Sequence, residues 1–111
     1  MECSKEDWKL FRSKIPGWQE AYMERLNKEY IQILSSEGKA SDKFWALEKR
    51  IYQDKRSPGV MVQLRKSDMP MQLLGMLGDG VIAWDDLKGF SPELQEILGC
   101  LLGENRKKCN P

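Results

Sequence analysis

Residues whose types and spacing could do chemistry are few. The most suggestive group lies in "GDGVIAWDD", residues 78–86. With Gly80 at the sixth position of an EF-hand loop, where a glycine is invariant, Ile82 falls at the eighth and Asp86 at the twelfth. The other ligand positions do not follow. Gly75, Leu77 and Ala83 occupy the first, third and ninth and bring no side-chain oxygen. Asp79, the Val81 carbonyl and Asp86 remain, against the about six to eight oxygens that calcium takes. The spacing therefore predicts a turn and a helix start, with no metal and no cofactor. Whether Trp84 closes the core or stands out as an acidic-aromatic contact beside Asp85 and Asp86 is open at this point.

The rest of the inventory points away from catalysis. The chain has no His, which removes the commonest general base, the Ser-His and Cys-His nucleophile systems and most zinc sites. No GxGxxG or GxxxxGK[ST] pattern occurs. Carboxylate-only catalysis has no pointer, so the expectation is a protein that is not an enzyme. Cys3, Cys100 and Cys109 are odd in number, widely spaced and without a CxxC pair. Cys100 is expected to pack as a small hydrophobe in an apolar helix.

What must position any site is a chain of 111 residues, 41% hydrophobic and 32% charged. That suits one small domain and excludes general disorder. The opening "MECSKEDWKLF" has no apolar leader core, and no apolar run approaches the roughly 20 residues of a membrane span. A cytoplasmic protein is expected.

Helical periodicity dominates. Ser4 caps a first helix carrying Trp8, Phe11 and Ile15, with Cys3 and Trp8 as a hydrophobic staple. Pro16-Gly17 predicts a break. A second helix carries Trp18, Tyr22, Leu26, Tyr30 and Ile33, its stripe widened by Met23, Ile31 and Leu34. After the turn at 35–41, Ser41 or Asp42 caps a third helix with a buried face of Phe44, Leu47 and Ile51. Ser57-Pro58 is read as opening a fourth, short helix with Val60, Met61 and Leu64, in preference to a strand. Asp68 opens a fifth, ended by Gly78-Asp79-Gly80. Ser91-Pro92 starts the last, which buries Leu94, Ile97, Leu98, Leu101 and Leu102. The expectation is all-α: a single small domain of five or six short helices, with 1–38 as an antiparallel helical arm, 39–103 as a compact bundle and 104–111 as a flexible tail.

Charge is segregated along the chain. Residues 39–66 hold eight bases and three acids, whereas 67–98 hold one base and six acids. Trp45, Lys49, Tyr52 and Arg56 fall on one stripe of the third helix, the pattern that can hold phosphates and stack on unpaired bases. The plainer reading, preferred here, has Trp45 and Tyr52 sealing the core edge under basic side-chain stems. Residues 42–78 also permit a helix-turn-helix with "GVIAW" as a wing. Its recognition segment "MPMQLLGML" has no base with which to read DNA.

"FWALEKRIYQDKRSPGV" and "DGVIAWDDLKGFSPELQEIL", within residues 44–98, resemble short bacterial proteins that carry an SPGV, DGVI, DDL and FS pattern in this order. The resemblance covers about half the chain. It implies a bacterial source and a recurrent small fold, and it brings no activity and no functional residues.

The expected function is a non-catalytic helical protein-interaction or regulatory protein. Trp45, Lys49, Tyr52 and Arg56 are the candidate contacts, with Trp18 and Tyr22 on the arm, toward a protein partner or a second copy. The alternatives are a nucleic-acid-binding regulator carried by a mobile element and using the basic 39–66 segment, or a small inhibitor of a nuclease defence system.

Overall fold

The computed structural model describes residues 4–106, with side chains to residue 103. The first helix, α1 (Lys5–Ser35), runs through Pro16 without interruption. Ser4 is extended and its Oγ accepts the Asp7 N–H at 3.0 Å, with Glu6 and Asp7 in the positive first turn. The break expected at Pro16-Gly17 does not form. An interior proline costs about 3 kcal/mol through a lost hydrogen bond and a clash with the preceding turn. That cost is offset because Phe11 and Ile15 before it, and Trp18 and Tyr22 after it, pack against one core. Pro16 and Gly17 both face solvent.

Three further helices follow: α2 (Ala40–Asp54), α3 (Met69–Gly78) and α4 (Pro92–Arg106), with short 3₁₀ turns at Lys66–Asp68 and Trp84–Leu87. The fold is all-helical among the described residues, with four α-helices in place of five or six. Residues 5–35 form one rod instead of an antiparallel pair; the antiparallel hairpin is α1 with α2. The α2 cap is two or three residues earlier than expected, with Lys39 at the cap and Ser41 and Asp42 inside the first turn.

Ser57-Pro58 opens no helix. Val60 and Met61 both donate their N–H to the Ser57 carbonyl, and Gly59 N–H donates to Ser57 Oγ. Residues 61–65 then run outside regular structure. The turn is wedged between other elements. Gln19 Nε2 donates to the Pro58 carbonyl at 3.0 Å, and Ser57 Oγ donates to Asp79 at 2.8 Å. A Cβ on Gly59 would stand 2.7 Å from Val81 Cγ2 and 2.8 Å from Tyr22 Cε2.

The core joins Phe11 and Ile15 of α1, Met69, Leu73 and Met76 of α3, Leu94 and Leu98 of α4, and Val81, Ile82, Leu87 and Phe90 from the connection. No α2 residue enters it, so residues 39–103 do not form one bundle. Asp7 is buried and accepts both the N–H (2.9 Å) and the hydroxyl (2.5 Å) of Ser91, locking the start of α1 to the start of α4. At the end of α3, Gly80 adopts φ +76°. Gly80 N–H donates to the Leu77 carbonyl and Val81 N–H to the Met76 carbonyl, a complete Schellman cap with Val81 packed into the core.

Cys100 is exposed and disulfide-bonded, not the buried apolar thiol expected. It lies two residues past Leu98, roughly 200° around the helix from the buried stripe. Cys3, Cys109 and the tail at 107–111 lie outside the described residues. No helix among the described residues is long and apolar enough to cross a membrane.

Two glycine substitutions should move stability in opposite directions. Gly59→Ala forces a methyl into Tyr22 and Val81 and should lower unfolding free energy by about 1–3 kcal/mol. Gly17→Ala meets open space on a helix and should raise it by about 0.5–1 kcal/mol. Urea denaturation of the two variants checks both signs.

Candidate functional site

Helix α2 is where the structure leaves apolar residues without cover. A four-residue connection returns the chain antiparallel to the second half of α1. Polar ties set the pairing. Arg50 bridges Glu29 at 2.5 Å and Asp54 at 3.3 Å, and stacks 5.7 Å from the Tyr30 ring centroid. The Glu29 hydrogen bond holds the Arg50 guanidinium more firmly protonated. Tyr30 hydroxyl donates to Asp54 at 2.6 Å, and Lys43 Nζ donates to the Ser36 carbonyl. Beneath these ties the seam is thin: Leu26 is buried, while Ile33 and Leu47 are half-buried.

The remaining apolar side chains of α2 face outward. Phe44 is 61% exposed, Trp45 62%, Ile51 42% and Tyr52 56%. Phe44 and Ile51 are thus not the buried face expected, and Trp45 and Tyr52 seal no core edge. The cause is placement. The side of α2 turned to α1 carries Lys43, Leu47, Arg50 and Asp54, and the core lies toward the other end of α1.

An open groove of ≈260 Å³ is lined by Phe44, Leu47, Glu48, Ile51, Tyr52 and Lys55. A second, of ≈250 Å³, shares Ile51 and Lys55 and continues across α1 through Met23, Leu26 and Tyr30 to Val60. Leu34 and Ile31, exposed at 48% and 61%, follow Tyr30 on the same flank of α1. The groove residues and these two form one apolar flank of the hairpin.

Trp45, Lys49 and Tyr52 share one side of α2 and are exposed, while exposed Arg56 falls in the turn after α2 and lines a pocket with Tyr22, Asp54 and Asp79. Lys55 Nζ sits 5.7 Å from the Tyr52 ring centroid. Trp18 and Tyr22 lie elsewhere. Trp18 packs against Phe11 and Phe90 with centroids 6.4 Å apart in each pair. The Tyr22 ring lies against Gly59 and beneath Arg25. Ile31 and Leu34 were missed as surface residues. The signal for them was an apolar arc on 18–34 wider than one seam needs.

The oxygens of the calcium-like stretch each have another partner. Asp79 accepts from Ser57, the Val81 carbonyl accepts from Arg25, and Asp86 accepts the Ala83 N–H at 2.8 Å. A guanidinium at the Gly80 and Val81 carbonyls opposes a cation there. Trp84 is 41% exposed; its Cη2 lies 3.6 Å from where a Cβ on Gly99 would stand, so one part of the ring covers α4 while the rest faces solvent beside Asp85 and Asp86. In α3 the residues that a helix-turn-helix would present to DNA include Met69, Leu73 and Met76, all buried.

No family model, curated protein or solved structure matches this chain.

Burial, together with the hydrogen bond to Asp54 and that carboxylate's charge, pushes the Tyr30 hydroxyl up to about 12. Folding raises this pKa, so the contact stabilises the hairpin fully below pH 10.0 and its contribution is lost as pH climbs toward 12. Tyrosinate absorbance should show a late step near pH 12 that disappears in Tyr30→Phe.

Proposed function

We propose that this chain is a non-catalytic interaction protein that binds another protein through the apolar flank of its α1–α2 hairpin. One observation carries the reading: a 15-residue helix buries none of its residues while exposing Phe44, Trp45, Ile51 and Tyr52. Exposed apolar residues scattered singly are ordinary. A contiguous set that lines an open groove marks an interaction site. The absence of His and of nucleotide-binding glycine patterns favours a non-catalytic, regulatory role. The likeness of residues 44–98 to short bacterial proteins supports a bacterial setting.

Affinity capture from the native host, with and without nuclease, tests this reading. A protein partner survives nuclease treatment and is lost in the Phe44→Asp/Ile51→Asp variant, whose positions are exposed and whose helical circular dichroism should be unchanged. An identical set of captured proteins from both forms would sink the idea.

A second reading rests on a different observation, the exposed Trp45, Lys49 and Tyr52 on one side of α2 with exposed Arg56 in the turn after it. That arrangement suits single-stranded nucleic acid, with bases stacking on the rings and phosphates on the cations. Gel shifts at two salt concentrations decide it. Binding should weaken steeply with salt and vanish in Lys49→Ala/Arg56→Ala; no shift at low salt removes the reading.

A further inference from the structure

The partner that the hairpin flank fits best is a second copy of the same chain. We infer that two copies associate antiparallel through α2, closing the two hairpins into a four-helix bundle. The inference rests on the reading of this flank as a protein-interaction surface and names its occupant.

The first argument is charge. The α2 groove carries one acid and one base, Glu48 and Lys55, on either side of the apolar pair Ile51 and Tyr52. Each stands three and a half residues from the midpoint between 51 and 52. A twofold axis through that midpoint brings Glu48 opposite Lys55 of the partner subunit, and Lys55 opposite the partner subunit's Glu48. Glu48 makes no ion pair among the described residues, and Lys55 would exchange only its contact with the Tyr52 ring for the pairing. An isologous contact requires this self-complementarity.

Shape is the second argument. The same operation carries Phe44 past the end of the facing helix, level with the turn after residue 55. There the second groove opens between Met23, Leu26, Ile51 and Val60. An outstanding aromatic and a shallow apolar groove lie at opposite ends of one helix, each placed to receive its counterpart.

Area is the third. Ile31, Leu34, Phe44, Trp45, Ile51 and Tyr52 are between 42% and 62% exposed. At roughly 200 Å² per large side chain, they offer on the order of 600 Å² per copy, close to the about 800 Å² per partner of a stable interface. Two helices cannot bury such a flank alone, and four can.

Sedimentation equilibrium of the full chain tests the inference. The wild type should weigh twice its 12.9 kDa at about 100 µM, as expected for a dissociation constant on the order of micromolar. Phe44→Asp/Ile51→Asp should weigh 12.9 kDa. Glu48→Lys places two like-charge pairs across the axis and should weaken association about tenfold. Glu48→Lys/Lys55→Glu reverses both partners together and should restore it. A wild type that stays monomeric up to about 1 mM overturns the inference. So does a dimer indifferent to the Phe44/Ile51 variant, or a charge reversal that fails to rescue. A monomer that still retains a host protein through Phe44 and Ile51 overturns self-association alone and leaves the interaction reading intact. A monomer that retains none overturns both.

Discussion

The buried carboxylate of Asp7 holds the described structure together at its most demanding point. It is the one buried charged residue there, and it accepts two hydrogen bonds from Ser91. Both helix starts converge on it, since Asp7 sits in the first turn of α1 and Ser91 precedes Pro92, the first residue of α4. Each N-terminus brings partial positive charge to this corner. Ser91 works in both directions, donating its hydroxyl hydrogen to Asp7 and accepting the Leu94 N–H. With that corner fixed, Phe11 and Ile15 on one helix and Leu94 and Leu98 on the other contribute to a single core. This anchoring adds to the packing of Phe11, Ile15, Trp18 and Tyr22 that carries α1 through Pro16.

A second knot fixes the direction in which the hairpin leaves the core. The Ser57–Val60 turn and the Asp79–Val81 cap lie against each other, joined by Ser57 Oγ to Asp79 and by the close approach of Gly59 to Val81. Arg25 adds hydrogen bonds from α1 to the Gly80 and Val81 carbonyls. The SPGV and DGVI elements of the sequence are therefore one spatial feature. Leu87, Phe90 and Ser91, from the DDL and FS elements, belong to the core and its lock.

Some of this was legible in the residues alone. The Ser4 cap, the glycine-terminated end of α3 and the Ser-Pro start of α4 follow from backbone chemistry that acts within a few residues. Pro16 was misread because a local rule met a tertiary one, and the stripe packing on both sides of it won. Ser57-Pro58 was misread for a related reason. The same dipeptide that begins α4 makes a turn here, because Gly59 must approach Tyr22 and Val81 too closely for a helix to continue. Phe44 and Ile51 expose a deeper limit. Periodicity tells that a helix face is apolar, and it does not tell whether the chain itself covers that face. Arg56 falls in the turn beyond the helix end, where helical spacing no longer applies, but spacing does place Trp45, Lys49 and Tyr52 on one side of α2. Their exposure depended on where α2 docks, which only long-range contacts decide.

That docking also explains why the flank is left open. Polar contacts between exposed or half-exposed groups supply most of what joins α2 to α1, and such contacts contribute little each, about 0–1 kcal/mol. They set orientation and register better than they set stability. Helix α2 is thus placed accurately and held weakly, while its apolar residues remain available. A partner seated on Phe44, Leu47 and Ile51 would supply the apolar burial that the hairpin lacks, so binding and completion of the fold become one thermodynamic event. The core end of the molecule, with its buried lock, glycine-dependent knot and packed aromatic rings, stands independent of that event. The division would let the hairpin gain or lose a partner without disturbing the core that carries it.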